Sequence, residues 1–169
     1  MFQESLKQVS NEYVTDEMKK QYLAESNFLI AYYHFLSMRS YGPTMIIRSV
    51  IDLETPISGF PERSSIDEVV AFINEKLDEA MSEGGLPTTW SGKDYGRATR
   101  LAALALKSRV YLYAASPLYN GNTEMYADFR SPLDGRQLIA QEKSQAKWEI
   151  SATQTKYAID EVEKAKFHL

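Results

Sequence analysis

Residues 99–117 read TRLAALALKSRVYLYAASP, and this stretch decides the fold. Its apolar residues recur with helical spacing, and no glycine or proline interrupts it before position 117. The Thr99 hydroxyl is placed to cap the first turn, and Ser116-Pro117 ends the helix because the residue before a proline avoids helical dihedral angles. Several alanines keep the surface shallow, and Ala105 is expected to lie against a neighbouring helix. The stretch predicts a helix over 100–115 in an all-α protein.

Two more helices are predicted on the N-terminal side of this stretch. Residues 16–41 carry acidic side chains at their start and apolar side chains at helical spacing, and a glycine-proline pair follows at 42–43. A second helix begins after Ser65, because Ser65 and Glu68 have the spacing of a capping box. Its single apolar stripe ends shortly before a glycine pair at 84–85.

A fourth helix is predicted over residues 145–166, after a long connection that is rich in turn residues. Its predicted buried stripe consists of Trp148, Ala152, Thr155, Ile159 and Val162. Four main helices in two antiparallel pairs are typical of tetratricopeptide-like helical hairpins, here with long irregular loops. Residues 1–169 are therefore expected to form one helical domain. Two pairs fall short of the roughly three repeats that such arrays need, so we expect this domain to belong to a longer protein.

Composition argues against several classes of protein. The chain has 169 residues, with 19 Lys and Arg against 23 Asp and Glu, and a net charge of -4. That balance argues against a nucleic-acid partner, which needs a basic face. There is no cysteine, and therefore no disulfide, thiolate nucleophile or lipid-anchor cysteine. No apolar run approaches the roughly 18 residues of a membrane span, and residues 1–7 do not resemble a signal peptide, so we expect any export signal to lie outside this sequence.

Six blocks stand out along the chain. They are AESNFLIAYYHF at 24–35, YGPTMII at 41–47, PERSSIDEV at 61–69, the run from 96 to 121, YADF at 126–129 and the helix that contains KW at 147–148. In this order and at comparable spacing, the blocks resemble the SusD/RagB family, whose members capture nutrients at the bacterial cell surface. Two positions depart from the family pattern, since Ile30 stands where the family has arginine and Glu62 is inserted before Arg63.

The resemblance implies a tetratricopeptide-like scaffold whose irregular loops bind glycans or other nutrients. It also implies a non-catalytic component of a SusCD-type uptake complex that works without a cofactor. Such a component lies at the surface of the outer membrane and delivers an oligosaccharide or other nutrient to a TonB-dependent SusC-like transporter. Family members are several times longer, so the chain resembles an internal piece of one. From the residues alone, a generic tetratricopeptide-like protein–protein interaction module is the alternative.

Aromatic side chains in the predicted loops are candidate ligand-binding residues, because the C–H-rich face of a pyranose packs on an aromatic ring while polar groups bind its hydroxyls. The candidates are Trp90, Tyr95, Tyr119, Asn120 and Tyr126. Trp90 stands first because its neighbours are small or polar; its alternative role is a lid folded over the helix ends. Core packing is the alternative for Tyr119 and Tyr126, and turn formation is the alternative for Asn120.

Catalysis finds little support in the sequence. The two histidines are His34, which lies in an apolar helix where a hydrogen-bonded structural role is expected, and His168, near the chain end. No metalloprotease, nucleophile-elbow or phosphate-loop motif is present. We predict no catalytic residue, no enzyme activity and no metal site, although loop carboxylates and carbonyls are able to hold calcium.

Overall fold

A computed structural model of the chain describes residues 2–10 and 12–166. The α-helices in this part of the chain are α1 (Phe2–Gln8), α2 (Asp16–Tyr41), α3 (Ile66–Ala80), α4 (Arg100–Ala115), α5 (Thr123–Tyr126) and α6 (Gln145–Lys164). Strand pairing among the described residues is limited to isolated bridges, and none of these helices is both long and apolar enough to cross a bilayer. The predicted all-α fold class is confirmed.

The four long helices form a stack of two antiparallel pairs. α2 packs along α3, α4 packs along α6, and contacts between α3 and α4 join the two pairs. The short helix α1 lies against α2, where the side-chain amide of Gln3 donates a hydrogen bond to Asn27 Oδ1 at 2.9 Å. α1 and α5 are additions to the four predicted helices, and α5 is a single turn within the long connection before α6.

Local capping chemistry sets the positions at which the helices begin; the Thr99 cap was predicted from the sequence, and the Thr15 cap was not. α2 begins after Thr15, whose hydroxyl accepts a hydrogen bond from the amide of Met18 at 3.2 Å. α4 begins after Thr99, whose hydroxyl accepts one from the amide of Ala102 at 3.1 Å. α6 ends two residues before the expected position, because Lys166 adopts a left-handed φ of 61° that terminates the helix.

The predicted capping box of α3 is present. The Ser65 amide donates to Glu68 Oε2 at 2.7 Å, and the Glu68 amide donates to Ser65 Oγ at 3.3 Å. Hydrogen bonds from the Ser65 amide and hydroxyl lower the pKa of the Glu68 carboxyl because they favour its charged form. The guanidinium of Arg136, 3.8 Å away, acts in the same direction.

We expect the Glu68→Gln variant to be less stable than the wild type near neutral pH by roughly 0.3–1 kcal/mol, because it loses a negative charge at the start of α3. A carboxyl whose pKa is lowered by folding stabilises the protein above its unfolded pKa, and that contribution is lost as the pH falls through the folded pKa. The difference in the free energy of unfolding between the two proteins, measured from urea unfolding curves, should therefore become smaller at acidic pH. A difference that stays constant with pH would contradict this role of Glu68.

The hydrophobic core lies where α2, α3 and α4 meet. Phe35 of α2 is 1% exposed and meets Tyr113 of α4 edge to face, with 5.3 Å between ring centroids and 85° between ring planes. This ring pair connects the first helical pair to the second. The completely buried members of the core are Ala31, Met38, Val69, Ile73, Leu77, Ala80, Ala103 and Val110.

The predicted orientation of one alanine of α4 is wrong. Ala105 is exposed, whereas Ala103 is completely buried. Two residues correspond to roughly 200° around a helix, so the two alanines face opposite directions. The inward face of α4 is the one that carries Ala103, Leu106 and Val110.

The corrected orientation leads to opposite expectations for two leucine substitutions. Ala103→Leu should lower the free energy of unfolding by about 1–3 kcal/mol, because the added atoms have no space in the core. Ala105→Leu should change it by less than about 0.5 kcal/mol, as surface substitutions usually do. Chemical denaturation of both variants tests the assignment, and equal losses would refute it.

The predicted buried stripe of α6 is also partly wrong. Ala152 and Ile159 are exposed, whereas Ser151 and Ala158 are buried. The other predicted members of the stripe, Trp148, Thr155 and Val162, are half-buried. The face that packs is therefore rotated by about one position along the sequence.

The contact between α4 and α6 explains this rotation. α6 approaches α4 through small side chains, and the hydroxyl oxygens of Ser108 and Thr155 lie 2.7 Å apart. Larger apolar side chains, those of Leu112, Trp148 and Ile159, are left to line an open groove along the outer side of the pair. Apolar spacing alone does not show which of two adjacent faces of a helix packs, because that depends on the shape of the neighbouring helix.

The connecting segments lie at the two ends of the stack. The connections 42–65 and 116–144 meet at one end, where the amide of Ile66 donates a hydrogen bond to the carbonyl of Leu138 at 3.0 Å. The connection 81–99 joins α3 to α4 at the other end. The 15 residues of α3 separate these ends by about 22 Å.

Candidate ligand-binding site

The connection between α3 and α4 forms a cleft at its end of the stack. The cleft has a volume of about 450 Å³, which is within the usual range for small-molecule sites. Its lining residues are Thr88, Thr89, Trp90, Tyr95, Gly96, Arg97, Thr99, Leu101 and Val162. The loop therefore supplies aromatic and hydroxyl side chains, and α4 and α6 supply an apolar floor.

The loop's own backbone fixes Trp90 in this cleft. The indole N–H donates a hydrogen bond to the carbonyl of Ala98 at 2.7 Å, and the ring is half-buried. A 3-10 turn at Gly92–Asp94 and a positive φ of 96° at Gly96 return the loop toward the ring. Trp90 thus folds over the beginning of α4, as the lid interpretation requires, and it also lines the cleft.

Arg97 supports the tryptophan ring. Its guanidinium carbon lies 4.1 Å from the centroid of the Trp90 ring and 5.5 Å from that of Tyr22. Nε and Nη2 of Arg97 donate to the two carboxylate oxygens of Glu25 at 2.7 and 3.0 Å, and Nη1 donates to Asp94 at 2.9 Å. Because a bidentate pair fixes the plane of a guanidinium, Arg97 is a rigid platform against the ring.

The positive charge of Arg97 is neutralised where it lies. Its hydrogen bonds to Glu25 raise the pKa of the guanidinium above its ordinary value, so that it stays protonated. Among the described residues that line the cleft, Arg97 is the one basic side chain, and most of its N–H donors already serve carboxylates. The cleft is therefore suited to an uncharged ligand that has an apolar face and hydroxyl groups.

Tyr95 lies at the rim of the same cleft and is 86% exposed. The structure therefore brings two of the five predicted site residues, Trp90 and Tyr95, to one place. Aromatic rings pack on the C–H face of a sugar, and the hydroxyls of Thr88 and Thr89 can hydrogen-bond its hydroxyls.

The other three predicted site residues lie at the opposite end of the stack. Tyr119 is 3% exposed and its hydroxyl donates to a backbone carbonyl of α2 at 3.1 Å; burial raises the pKa of Tyr119. Asn120 is buried and exchanges hydrogen bonds of 2.8 and 3.0 Å with the backbone of Ser144. Tyr126 is half-buried against Phe129, with 5.8 Å between ring centroids. These side chains hold the connection 116–144 in place, and burial keeps Tyr119 and Asn120 from contact with a dissolved ligand.

Sequence reasoning missed the ion pair that supports Trp90 and the apolar floor of the cleft. Arg97 and Glu25 are 72 positions apart, and no local sequence pattern indicates that their side chains form an ion pair. Leu101 and Val162 form the floor because α4 and α6 pack together, which neither helix shows by itself. A basic residue close to Trp90 in sequence is a possible partner for its ring, and Arg97 shares this signal with Lys93.

His34 has a structural role in α2. Its Nδ1 donates to the carbonyl of Ile30 at 2.7 Å, and its Nε2 accepts a hydrogen bond from the amide of Ile47 at 3.2 Å. Both ring nitrogens are therefore in use, as expected for a satisfied structural histidine. His168 lies outside the described residues, and within those residues no group of three or more His, Asp or Glu is placed to hold a metal ion.

The chain consists of stacked helical pairs, and one connecting loop forms a cleft lined by aromatic side chains. These features define a helical-scaffold protein with a candidate ligand site. Residues 1–112 match a SusD-like family model described as "starch-binding associating with outer membrane". The chain belongs to the SusD-like family, which confirms the resemblance seen in the six sequence blocks. A comparison with curated proteins gives no match.

Solved structures are similar to this chain over all or part of its length. BT4246 is 34% identical, with a TM-score of 0.85 over 96% of this chain and 27% of BT4246. A SusD-like protein (BF3747) from Bacteroides fragilis NCTC 9343 is 35% identical, with a TM-score of 0.54 over 59% of this chain and 19% of that one. Surface glycan-binding protein A from Bacteroides fluxus is 32% identical, with a TM-score of 0.52 over 68% of this chain and 23% of that one. The chain thus spans about a quarter of the length of these relatives.

Proposed function

We propose that this chain is the helical scaffold of a non-catalytic glycan-binding component of an outer-membrane uptake complex. The observation that carries the proposal is the cleft formed by Trp90 and Tyr95 on a chain whose family is described as starch-binding and associated with the outer membrane. The name of one similar structure, surface glycan-binding protein A, supports the same ligand class.

The chemistry of the cleft favours a neutral oligosaccharide. The Trp90 ring, supported from one side by Arg97, offers a flat apolar surface for a sugar face. Threonine hydroxyls beside it provide donors and acceptors for sugar hydroxyls. An anionic sugar would need a free cation, whereas Arg97 is already paired with Glu25 and Asp94.

Family membership also motivates the partner and the location that we propose. The complete protein lies at the cell surface, next to a TonB-dependent SusC-like transporter, and transfers the captured glycan to it. The chain contributes binding and no catalytic step. In the competing interpretation, the helical stack is a general protein interaction module and the cleft has no sugar ligand.

Calorimetric titration of the complete natural polypeptide with maltoheptaose, and with a panel of neutral and anionic oligosaccharides, tests this proposal. We expect a neutral oligosaccharide to bind. Trp90→Ala and Tyr95→Ala should each weaken binding at least tenfold, or about 1.4 kcal/mol, because each removes an aromatic contact. Tyr95→Ala is the cleaner variant, because Tyr95 is exposed and its loss leaves the core intact.

Tyr41→Ala is the matched control, because Tyr41 is an exposed tyrosine at the far end of α2. It should leave the affinity unchanged. Glycan binding that survives both cleft substitutions would show that the glycan binds outside this cleft. Absence of glycan binding together with tight binding of a protein partner would favour the interaction module.

A further inference from the structure

The helix α2 contacts the support of the cleft without lining the cleft itself. Among the described residues that line the cleft, none belongs to α2. Tyr22 and Glu25 lie three positions apart on this helix, so their side chains share one face. Both contact the guanidinium of Arg97: the Tyr22 ring centroid lies 5.5 Å from the guanidinium carbon, and a Glu25 carboxylate oxygen lies 2.7 Å from Nε. One face of α2 thus holds the side chain that supports the Trp90 ring.

The two contacts of α2 restrict different movements of Arg97. Glu25 accepts two hydrogen bonds from the guanidinium, and these set its plane. Glu25 and Arg97 are both long, however, and two long side chains joined to each other can still swing together about their rotatable bonds. Asp94, the other carboxylate that pairs with Arg97, belongs to the same loop and moves with it.

The Tyr22 ring is the stiffer of the two supports from α2. A tyrosine side chain rotates about only two bonds, so the helix itself determines where the ring lies. The ring attracts the positive charge of Arg97 at a distance within the roughly 6 Å over which cation–π contacts act. Tyr22 therefore restricts the movement that the hydrogen bonds to Glu25 leave open.

The position of the Trp90 ring depends on Arg97 in turn. The guanidinium carbon lies over the ring, 4.1 Å from its centroid. At the edge of the ring, the indole N–H donates a hydrogen bond to the carbonyl of Ala98 at 2.7 Å. The loop backbone thus holds one edge of the ring, and Arg97 keeps the rest from turning. A guanidinium that moved away would free Trp90 to leave the orientation that lines the cleft.

Tyr22 has no comparable role in the hydrophobic core. Phe28 and Phe35, on the same helix, pack against or within the core, whereas Tyr22 is not among the described side chains that do so. Tyr22 is half-buried, and the Glu25 and Arg97 side chains are 20% and 26% exposed. These contacts are made inside the chain, between α2 and the loop, and none of them requires a free outer surface.

We infer that Tyr22 is a positioning residue for Trp90: through Arg97, it keeps the tryptophan ring in the orientation on which a sugar packs. This inference rests on the proposed function, which supplies the sugar as the ligand. It adds a determinant of binding that lies outside the cleft, on the first helical pair. Recognition by the loop between α3 and α4 therefore depends on α2 as well.

Two measurements on the complete polypeptide test this role of Tyr22. NMR of protein with isotope-labelled tryptophan follows hydrogen exchange of the Trp90 indole N–H, whose signal is identified by its loss in Trp90→Phe. Exchange requires the hydrogen bond to Ala98 to open, so its rate reports how firmly the ring is held. Calorimetry gives the affinity for the tightest-binding neutral oligosaccharide of the panel that includes maltoheptaose. Tyr22→Leu should speed exchange and weaken binding by about fivefold each, as expected for the loss of one cation–π contact.

Three further variants separate positioning from a general loosening of the helix. Tyr22→Phe keeps the ring and should match wild type in both measurements. Phe28→Leu removes a half-buried ring that packs on the core, so it should lower the melting temperature and leave exchange and affinity unchanged. Arg97→Ala already lacks the link between Tyr22 and Trp90, so the addition of Tyr22→Leu should change neither quantity further.

Several results would overturn the inference. Unchanged exchange in Tyr22→Leu would show that Tyr22 does not hold the Trp90 ring, and faster exchange with unchanged affinity would show that holding the ring does not matter for binding. Equal effects of Phe28→Leu, or a Tyr22→Leu protein that does not fold, would make Tyr22 a residue of the general fold. A further loss in the Arg97→Ala background would show that Tyr22 acts without Arg97. If no oligosaccharide binds to wild type, the proposed function fails, while the exchange rates still decide whether Tyr22 holds Trp90.

Discussion

Phe35→Ala is expected to lower the free energy of unfolding by about 3–5 kcal/mol, the usual cost of removing a buried phenylalanine. Phe35 is buried in the core, and its ring meets Tyr113 across the junction between the two helical pairs. The substitution therefore leaves a cavity where α2 meets α4. For a chain of this length, the loss corresponds to a fall of roughly 6–20 °C in melting temperature.

Tyr33→Ala is the matched control for this experiment, because Tyr33 is an exposed aromatic residue on the same helix. It should change the free energy of unfolding by less than about 0.5 kcal/mol. Urea unfolding followed by circular dichroism measures both variants. If Phe35→Ala lowered the free energy of unfolding no more than Tyr33→Ala does, the contact between Phe35 and Tyr113 would not hold the two helical pairs together.

Glu25→Ala is expected to reduce both stability and glycan affinity, although Glu25 does not line the cleft. The Glu25 and Arg97 side chains are 20% and 26% exposed, so the loss of one partner leaves the other largely buried and short of hydrogen bonds. We expect a loss of roughly 1–3 kcal/mol in stability. The Trp90 ring then loses its rigid support, and affinity for the oligosaccharide should fall about tenfold, or 1.4 kcal/mol.

A second ion-pair variant separates these two effects. Asp67→Ala breaks the pair between Asp67 of α3 and Lys147 of α6, at the end of the stack away from the cleft. It should cost about 0–1 kcal/mol in stability and leave affinity unchanged. Affinity is measured by calorimetry well below the melting temperature. A Glu25→Ala protein that stays folded and binds with wild-type affinity would show that Arg97 does not position Trp90.

Helix positions could be predicted because their signals are local. A threonine cap, a serine-glutamate capping box and a proline stop each involve residues a few positions apart. Thr99, Ser65 and Glu68 therefore act in the structure as they were expected to act. The fold class followed from these helices.

The orientation of each helix was harder to predict, because it depends on partners that are distant in sequence. α6 has apolar residues on two adjacent faces, and its contact with α4 selected the face with Ser151 and Ala158. In α4, alanines occur on the buried and exposed sides alike, so small size alone did not identify Ala103 as the packed one.

Only the aromatic side chains of the candidate site could be predicted from the sequence. Trp90 and Tyr95 were singled out because aromatic side chains in loops can pack on the C–H-rich face of a sugar. Their support by Arg97 and Glu25 depends on a contact across 72 positions. Tyr119 and Asn120 occupy a loop in the sequence but are buried in the structure, since that connection folds back on the ends of the helices.

A crystal structure of the complete polypeptide with the neutral oligosaccharide that binds most tightly in calorimetry is the most direct test of the central claim. That claim is that the helices form a rigid frame and that the loop between α3 and α4 recognises the glycan. We expect a sugar ring packed on Trp90, with Tyr95 beside it and threonine hydroxyls bound to sugar hydroxyls. An oligosaccharide bound elsewhere, with this cleft unchanged and free of sugar, would contradict it.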